Sequence, residues 1–289
     1  MSHRFVIGIG SQRAASTLLH RLIGESTDVF MHPVKELHYF DTLFGIRSQE
    51  ALNDYSLRQL GWEVERIISA SNLNFISRRY KCRLRTTKIL ATQKIDKIGY
   101  LDLYRPFLKE RPVLGEVTPE YMLFDEEQVA RMRAVVGGDA AIILVCRNPV
   151  KRLLSAAKLY NDYNKLHMNP TQLNDWLQRM IEQNSSWIQV QDRYNDYERA
   201  IRVYSSAYPH FLALSYEALI HNPCEAATRI AEVCRTTVDH HKFHEGLSTV
   251  WNSLGDKNTP DTAVTESLSQ RYNNQTEFLR QHFGAMAAT

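Results

Sequence analysis

The amino-acid sequence predicts an α/β fold in which helices cover both faces of a parallel β-sheet. Two short apolar runs, at 5–10 and 140–147, are typical of strands buried on both faces. Each run leads directly into a segment with helical periodicity, at 16–25 and 148–163. Strands that alternate with helices build a parallel sheet, because the helix carries the chain back to the start of the next strand. We expect a single domain over residues 1–289, since no linker or repeat divides the chain.

The remaining elements continue this alternation. Further strands are predicted at 28–34, 111–119 and 210–217. Further helices are predicted at 46–75, 126–136, 171–183, 187–207 and 223–234. Residues 79–85 carry a basic side chain at every second position, so these side chains share one face if the segment is extended.

Composition excludes several classes of protein. Hydrophobic residues make up 44% of the chain and charged residues 23%, as in ordinary globular proteins, and a net charge of +3 is too small to predict nucleic-acid binding. No run is long and apolar enough for a signal peptide or a membrane span. The four cysteines match no zinc or redox spacing. We therefore expect a cytoplasmic protein, monomeric or homodimeric, with no nucleic-acid or membrane partner.

The turn after the first predicted strand has the composition of an anion-binding loop. Residues 8–17, GIGSQRAAST, place a glycine turn before a helix, so backbone N–H groups and the helix dipole face one point. Aligned at Gly10 with an ATPase P-loop, the chain has Ser16 where the lysine that reaches a γ-phosphate would stand. This change argues against magnesium-nucleotide hydrolysis, while Arg13 supplies a guanidinium and Thr17 a hydroxyl. Taken alone, an ordinary turn with a surface arginine explains the stretch equally well.

A second candidate anion site follows the strand predicted at 140–147. Arg147 stands at the carboxyl end of that strand, where parallel sheets bind ligands. Arg152 and Ser155 lie three residues apart on the next helix and so share a face. Arg147 and Ser155 suit a phosphomonoester, whereas a solvated helix position explains Arg152 equally well. The two sites together predict one ligand with two phosphate-like groups.

Both motifs resemble those of sulfotransferases that use 3′-phosphoadenosine 5′-phosphosulfate (PAPS). GSQRAASTLLHRL is similar to their 5′-phosphosulfate loop, G-x-P-R-S-G-T-T-L-L, and RNPVKRLLS to their 3′-phosphate motif, R-N-P-x-x-R-x-x-S. Residues 212–234 resemble a third segment of the family. The resemblance implies a three-layer, P-loop-like α/β fold, with a central parallel sheet flanked by helices and a helical insertion on the acceptor side. Gln12 replaces a proline and Ala15 a glycine of the loop, but neither change removes a donor, because the loop binds through backbone N–H groups.

The resemblance further implies sulfuryl transfer from PAPS, release of adenosine 3′,5′-bisphosphate (PAP) and no metal. Arg13 is implied to stabilise the phosphate that leaves. The implied cofactor-binding residues are Gly10, Gln12, Arg13, Ala14, Ala15, Ser16, Thr17, Arg147, Ser155, Tyr216, Lys257 and Asn258.

The candidate general base lies in HPVKELHYFD, residues 32–41. This segment is similar to the K-E-x-H-F-F segment of heparan sulfate sulfotransferases and their relatives. The similarity implies that Glu36 takes the proton of the acceptor and that His38 is its polar partner. A carboxylate near the loop suits this role, and we expect partial burial to raise its pKa. Solvation of Lys35 and Glu36 is the alternative reading. The other candidate bases are His38, His32 and His20.

One further segment, GEVTPEYM at 115–122, is similar to G-E-K-T-P-x-Y of the family, with Val117 in place of the lysine. Glu116 either shapes the acceptor pocket or packs in the core, and packing is favoured for Tyr121. The basic run at 78–88 either steers an anionic acceptor or is a solvated face.

The acceptor stays open at this stage. Residues 42–110 are expected to form much of its pocket, but no motif there names a ligand, so a small molecule or a carbohydrate fits. Two other functions also remain. A P-loop nucleoside or sugar kinase would bind Mg-ATP tightly, and a non-catalytic nucleotide-binding protein of the same fold would bind without turnover.

Overall fold

The computed structural model describes residues 3–248 and 261–288, so Lys257 and Asn258 lie outside the described part of the chain. Its centre is a five-stranded parallel sheet. The strands are β1 (Arg4–Gly10), β2 (Phe30–Met31), β3 (Val113–Val117), β4 (Ala141–Cys146) and β5 (Phe211–Ser215). Their order across the sheet is β2–β3–β1–β4–β5. The predicted α/β class and parallel sheet are confirmed.

Helices cover both faces of the sheet, so the fold has three layers with the sheet in the middle. The α-helices are α1 (Ser16–Ser26), α2 (Tyr39–Leu43), α3 (Gln49–Ile68), α4 (Arg78–Thr92), α5 (Glu126–Val136), α6 (Pro149–Tyr163), α7 (Pro170–Glu182), α8 (Ser186–Asn195), α9 (Tyr197–Ala207), α10 (Tyr216–His221), α11 (Pro223–Cys234), α12 (His240–Ser248), α13 (Thr262–Arg271) and α14 (Asn273–Phe283). Short 3₁₀ helices span Ile95–Lys97, Tyr100–Phe107, Pro119–Leu123 and Ala285–Ala288. One face of the sheet packs against α1, α11 and α12, and the other against α5, α9 and α14.

Strands β1 and β4 are almost entirely apolar because both of their faces are buried. In β1, Phe5, Ile7 and Ile9 pack into one core cluster and Val6 into the other. The residues of β4 alternate between the same two clusters and are all buried. A strand covered on both sides therefore shows a continuous apolar run rather than an alternating one, as the sequence indicated.

The order of the strands creates a crevice between β1 and β4. The chain leaves β1 towards β2 and β3 on one side, and β4 and β5 are then added on the other side. Connections that follow β1 and β4 thus diverge at the carboxyl edge, which is where ligands bind in sheets of this kind. Both predicted anion motifs start at this crevice, because Gly10 pairs with Leu144 in the register of the two strands.

One local prediction is wrong, and one condition is not met. Residues 79–85 are helical and belong to α4, so their basic side chains do not share the single face that an extended segment would give them. The buried positions Cys82, Thr86 and Leu90 recur every four residues, and this spacing, rather than the alternation of basic residues, decides the conformation. The single helix predicted at 187–207 is two helices, because Asp196 leaves the helical conformation and its side chain caps α9.

The segment at 42–110 is helical, as expected for an insertion. It is formed mainly by α3 and α4, which pack against each other. Its role in the acceptor pocket stays a prediction. No helix among the described residues is long and apolar enough to cross a membrane. All four cysteines are free thiols, of which only Cys224 is exposed.

The turn into α1 is built from residues in the left-handed conformation. Ala15 precedes the helix with φ 66° and ψ 26°, and Arg13 has φ 65°. An L-residue pays about 1–2 kcal/mol for this conformation, and glycine avoids the cost. Ala15, where the similar loop motif has a glycine, therefore stores strain in this turn.

We expect Ala15→Gly to raise the free energy of unfolding by about 1 kcal/mol, because relief of the left-handed strain outweighs the added entropy of the unfolded chain. Ala14→Gly is the matched control: Ala14 is fully buried and has no left-handed φ, so its substitution should destabilise the protein. Urea denaturation of both variants measures the difference. A loss of stability in both would contradict the assignment of strain to Ala15.

Candidate functional site

The turn after β1 is tied to β4 and to α8 at the carboxyl edge of the sheet. The backbone N–H of Ser11 donates to the carbonyl of Val145 at 2.8 Å. The hydroxyl of Ser11 donates to the carbonyl of Tyr194, also at 2.8 Å. Ser11 is fully buried. These two bonds fix the turn in front of the crevice, and no side chain caps the N-terminus of α1 that follows it. The first N–H groups of α1 therefore stay available to an anion.

The two predicted anion motifs form one continuous surface. The Nε of Arg13 donates to the hydroxyl of Ser155 at 2.9 Å, across 142 residues of sequence. The Nη1 of Arg147 donates to the carbonyl of Arg13 at 3.0 Å. The guanidinium of Arg147 also lies over the ring of Tyr216, 5.0 Å from its centroid. The structure therefore brings together four of the residues that the resemblance implies for the donor.

Arg152 is not the solvated helix residue that the sequence left open. Its side chain is fully buried, and its Nε donates to Oδ1 of Asn195 at 2.5 Å. Its Nη2 donates to Oε1 of Gln191 at 3.1 Å, and its Nη1 to the carbonyl of Gln12 at 3.4 Å. Arg152 thus links the turn after β1 to α8 through buried hydrogen bonds. The sequence signal for this role was its position one helical turn after Asn148, next to the apolar face of α6 that carries Leu153 and Ala156.

The electrostatics of this edge favour an anion. Among the described residues, the oxygens bound by the guanidinium groups of Arg13, Arg147 and Arg152 belong to hydroxyl, amide and carbonyl groups, not carboxylates. Burial and the charge of Arg147 lower the pKa of Arg13, and burial lowers the pKa of Arg152. Three guanidinium groups close together are stabilised when an anion binds between them.

The other donor-site residues lie on the same turn and at the start of α1. Ala14 and Ser16 are buried, while Gln12 and Thr17 are partly exposed. Gly10 has φ 142°, and a Cβ there would meet the carbonyl oxygen of Pro119 at 3.0 Å, so this position requires glycine.

A cluster of charged side chains lies around the candidate base. The Nε2 of His38 is 3.6 Å from a carboxylate oxygen of Glu36, and its Nδ1 is 2.8 Å from Oδ2 of Asp41. The Nδ1 of His38 is also 3.7 Å from Oε2 of Glu120. Lys35 bonds the other oxygen of Glu36. The side chain of Glu36 is 32% exposed, so an acceptor can reach it, whereas His38 is buried.

The pKa values in this cluster move apart. Burial alone would lower the pKa of His38, but Glu120 and Asp41 outweigh it and raise that pKa to about 10. Burial raises the pKa of Glu36, but Lys35 and His38 outweigh it and hold that pKa well below its usual range. Our expectation that burial would raise the pKa of Glu36 is therefore wrong. The neighbouring cations keep Glu36 ionised, which is the form that a general base needs.

Three side chains of the same cluster have the spacing of metal ligands. One donor atom each from Glu36, His38 and Glu120 lie within 4.8 Å of one another. The sequence showed no such group, because Glu120 comes from a distant segment. A proton on His38, with its pKa at about 10, already supplies a positive charge here and competes with any metal ion.

The other two candidate bases are histidines held by the core. His32 is fully buried, and its Nδ1 accepts a hydrogen bond from the N–H of Val34 at 3.0 Å. The Nε2 of His20 lies 2.9 Å from the carbonyl of His32. Burial lowers the pKa of His32 to about 3 and that of His20 to about 4, so both are neutral. Their contacts are structural.

Sequence reasoning missed Asp41 and Glu120. Asp41 stands three residues after His38 in the same quoted segment, and this helical spacing was the available signal. Glu120 follows β3 and has no local pattern that connects it with His38. Only the packing of the 3₁₀ helix after β3 against α2 brings it there.

Comparison with known proteins gives one family. A sequence model described as "Sulfotransferase family" matches residues 5–240. A solved sulfotransferase from Alicyclobacillus acidocaldarius is similar to this chain with a TM-score of 0.57 and 14% identity, over 97% of this chain and 95% of that one. A sulfotransferase from Mycobacterium avium gives a TM-score of 0.49 and 15% identity, over 99% and 79%. No curated protein matches. The first of these structures shows a shared fold.

The cationic state of His38 predicts a loss of stability at alkaline pH. With a pKa of about 10, the folded state keeps a proton that an unfolded imidazole releases near pH 6.5. This stabilisation is complete below about pH 6.5 and is lost as the pH rises through about 10. Relative to His38→Asn, the wild-type protein should lose up to about 1.4 kcal/mol of unfolding free energy per pH unit in that window.

Urea denaturation at several pH values measures this difference. The exposed variant His241→Asn is the control and should follow the wild-type curve, since His241 lies on the surface. Parallel curves for the wild type and His38→Asn would show that His38 is not held as a cation.

Proposed function

The chain belongs to the sulfotransferase family, and we propose that it transfers a sulfuryl group from PAPS to a hydroxyl or amine of a small-molecule or carbohydrate acceptor. One observation carries the proposal. Arg13, Ser155 and Arg147, which come from both predicted anion motifs, are joined by hydrogen bonds at the carboxyl edge of the sheet. This continuous surface supports the binding of one ligand with two phosphate-like groups, such as PAPS.

The donor would bind along the arginine surface. Ser16, Thr17 and the N–H groups that open α1 would hold the 5′-phosphate of PAPS. Arg147 and Ser155 would hold the 3′-phosphate, because they lie beside the turn and make hydrogen bonds to it. Tyr216, under the guanidinium of Arg147, fixes the orientation of that group. A metal is not part of this proposal, since the arginines supply the positive charge.

The transfer would be a single in-line displacement at sulfur. The acceptor oxygen or nitrogen forms a bond to sulfur as Glu36 takes its proton. The bond between sulfur and the bridging oxygen of the 5′-phosphate breaks, and its electron pair stays on that oxygen. Arg13 stabilises the charge that develops there. The products are the sulfated acceptor, PAP and a proton on Glu36.

A kinase reading has less support. Ser16 stands at the position of the P-loop lysine that would reach a γ-phosphate, and among the described residues the cations that hydrogen-bond at the turn are Arg13, Arg147 and Arg152. A non-catalytic protein would show the same donor site, so turnover decides between these functions.

We expect the wild-type protein to transfer a sulfuryl group from PAPS to at least one member of a panel of alcohols, phenols, amines and sugars, detected by mass spectrometry. Arg13→Ala should lower kcat by about 10²–10³-fold, the usual cost of a lost group that stabilises developing charge. Lys151→Ala, an exposed change close by on α6, is the control. Full turnover by Arg13→Ala would remove Arg13 from the mechanism.

The 3′-phosphate site predicts selective binding of PAP. Calorimetry should give a Kd for PAP at least tenfold lower than that for 5′-AMP, because each charge-assisted hydrogen bond is worth about 1.5–3 kcal/mol. Ser155→Ala should narrow this gap, while the exposed Ser205→Ala should not. Equal affinities for PAP and 5′-AMP would refute the assignment, and binding without turnover would favour the non-catalytic function.

A further inference from the structure

A buried carboxylate lies directly under the segment that carries Glu36 and His38. Glu116, in β3, is fully buried. Its Oε1 accepts hydrogen bonds from the hydroxyls of Tyr100 and Tyr121, each at 2.9 Å. Its Oε2 accepts from the hydroxyl of Thr118 at 2.7 Å and from the backbone N–H of Leu37 at 3.2 Å. This last bond holds the backbone at Leu37, the residue between Glu36 and His38.

Tyr121 continues the network to the next part of the same segment. Its hydroxyl donates to Glu116 and accepts from the backbone N–H groups of Tyr39 at 3.2 Å and Phe40 at 3.4 Å. These are the first N–H groups of α2, which have no partner within the helix. The side chain of Tyr121 is fully buried, so these two N–H groups depend on its hydroxyl rather than on solvent for a hydrogen-bond partner.

Along residues 36–39, backbone positions in the left-handed conformation alternate with positions whose N–H groups bond Glu116 or Tyr121. Glu36 has φ 64° and His38 has φ 49°, both in the left-handed region. Leu37, between them, is bonded by Glu116, and Tyr39, directly after them, is bonded by Tyr121. Residues other than glycine adopt the left-handed conformation only where the surrounding structure enforces it. The network therefore holds the conformation that points Glu36 and His38 at each other.

We propose that Glu116 and Tyr121 are positioning residues that set the geometry of Glu36 for proton abstraction. This inference rests on the proposed function. It also changes the interpretation of Tyr121, for which packing was favoured. The ring packs in the core, but its hydroxyl bonds the backbone of the catalytic segment. Removal of that hydroxyl should loosen the segment without disturbing the arginine surface.

The test compares Tyr121→Phe with Tyr104→Phe. Both tyrosines are fully buried in the same cluster. The hydroxyl of Tyr104 bonds the carbonyl of Gly115 and lies 3.4 Å from the hydroxyl of Tyr100, but it makes no hydrogen bond to the backbone of residues 36–40. We expect Tyr121→Phe to lower kcat about 10–100-fold, the scale of a misplacement near 1 Å, with Kd for PAP unchanged. Hydrogen exchange of the Tyr39 and Phe40 amides should become at least tenfold faster. Tyr104→Phe should change neither.

Glu116→Gln gives a second variant with the same shape. It puts an amide in place of the charge, so the bonds to Tyr121 and Leu37 cannot all be kept. We expect faster exchange at Leu37 and a loss of kcat, again with PAP binding retained. If this variant does not fold, Tyr121→Phe and its control still decide the matter.

The outcomes separate the two proposals. A wild-type protein that turns over, with Tyr121→Phe equal to Tyr104→Phe in both kcat and exchange, overturns the positioning role and leaves the function intact. A wild-type protein without turnover on any acceptor overturns the function. In that case the exchange rates of the Leu37, Tyr39 and Phe40 amides still show whether Glu116 and Tyr121 hold the segment.

Discussion

The buried guanidinium of Arg152 is the constraint on which the donor side depends. Its charge lies out of contact with solvent, which is costly unless every donor is bonded. Asn195, Gln191 and the carbonyl of Gln12 supply those acceptors, and in return α6, α8 and the turn after β1 are fixed against one another. Arg13 and Arg147 can then lie close together at the crevice, because the bond from Arg152 to Gln12 fixes the backbone next to Arg13.

The acceptor side is organised by a different balance of charge. His38 is a cation because Asp41 and Glu120 lie beside it, and Glu36 is an anion because Lys35 and His38 lie beside it. The two ends of the site thus differ in what they offer. The arginine end has positive charge without carboxylate partners among the described residues, while the other end has an ionised carboxylate held by cations. These charges are the basis of our proposal that a phosphosulfate binds at the first end and that an acceptor loses its proton at the second.

Much of the fold could be predicted from local pattern. Strands β1 and β4 are apolar runs because both faces of the sheet are covered, and α5 and α11 have the predicted bounds because strong signals start and end them. Asp125 caps α5 and Gly137 follows it, while Pro223 opens α11. Residues 79–85 are helical rather than extended because the four-residue spacing of buried positions, and not the alternation of charges, sets the conformation.

By itself, the sequence determined the α/β class, the two anion motifs and the segment that carries Glu36, since strands, turns and helix starts depend on neighbouring residues. Only the tertiary structure decided which side chains share a charge environment. Glu116, Tyr121 and Glu120 reach the segment that carries Glu36 across some 80 residues, as in the bond from Leu37 to Glu116 with a separation of 79. The pKa of Glu36 also moved opposite to expectation. Burial and Coulomb interactions act through space, so no local pattern of residues can report them.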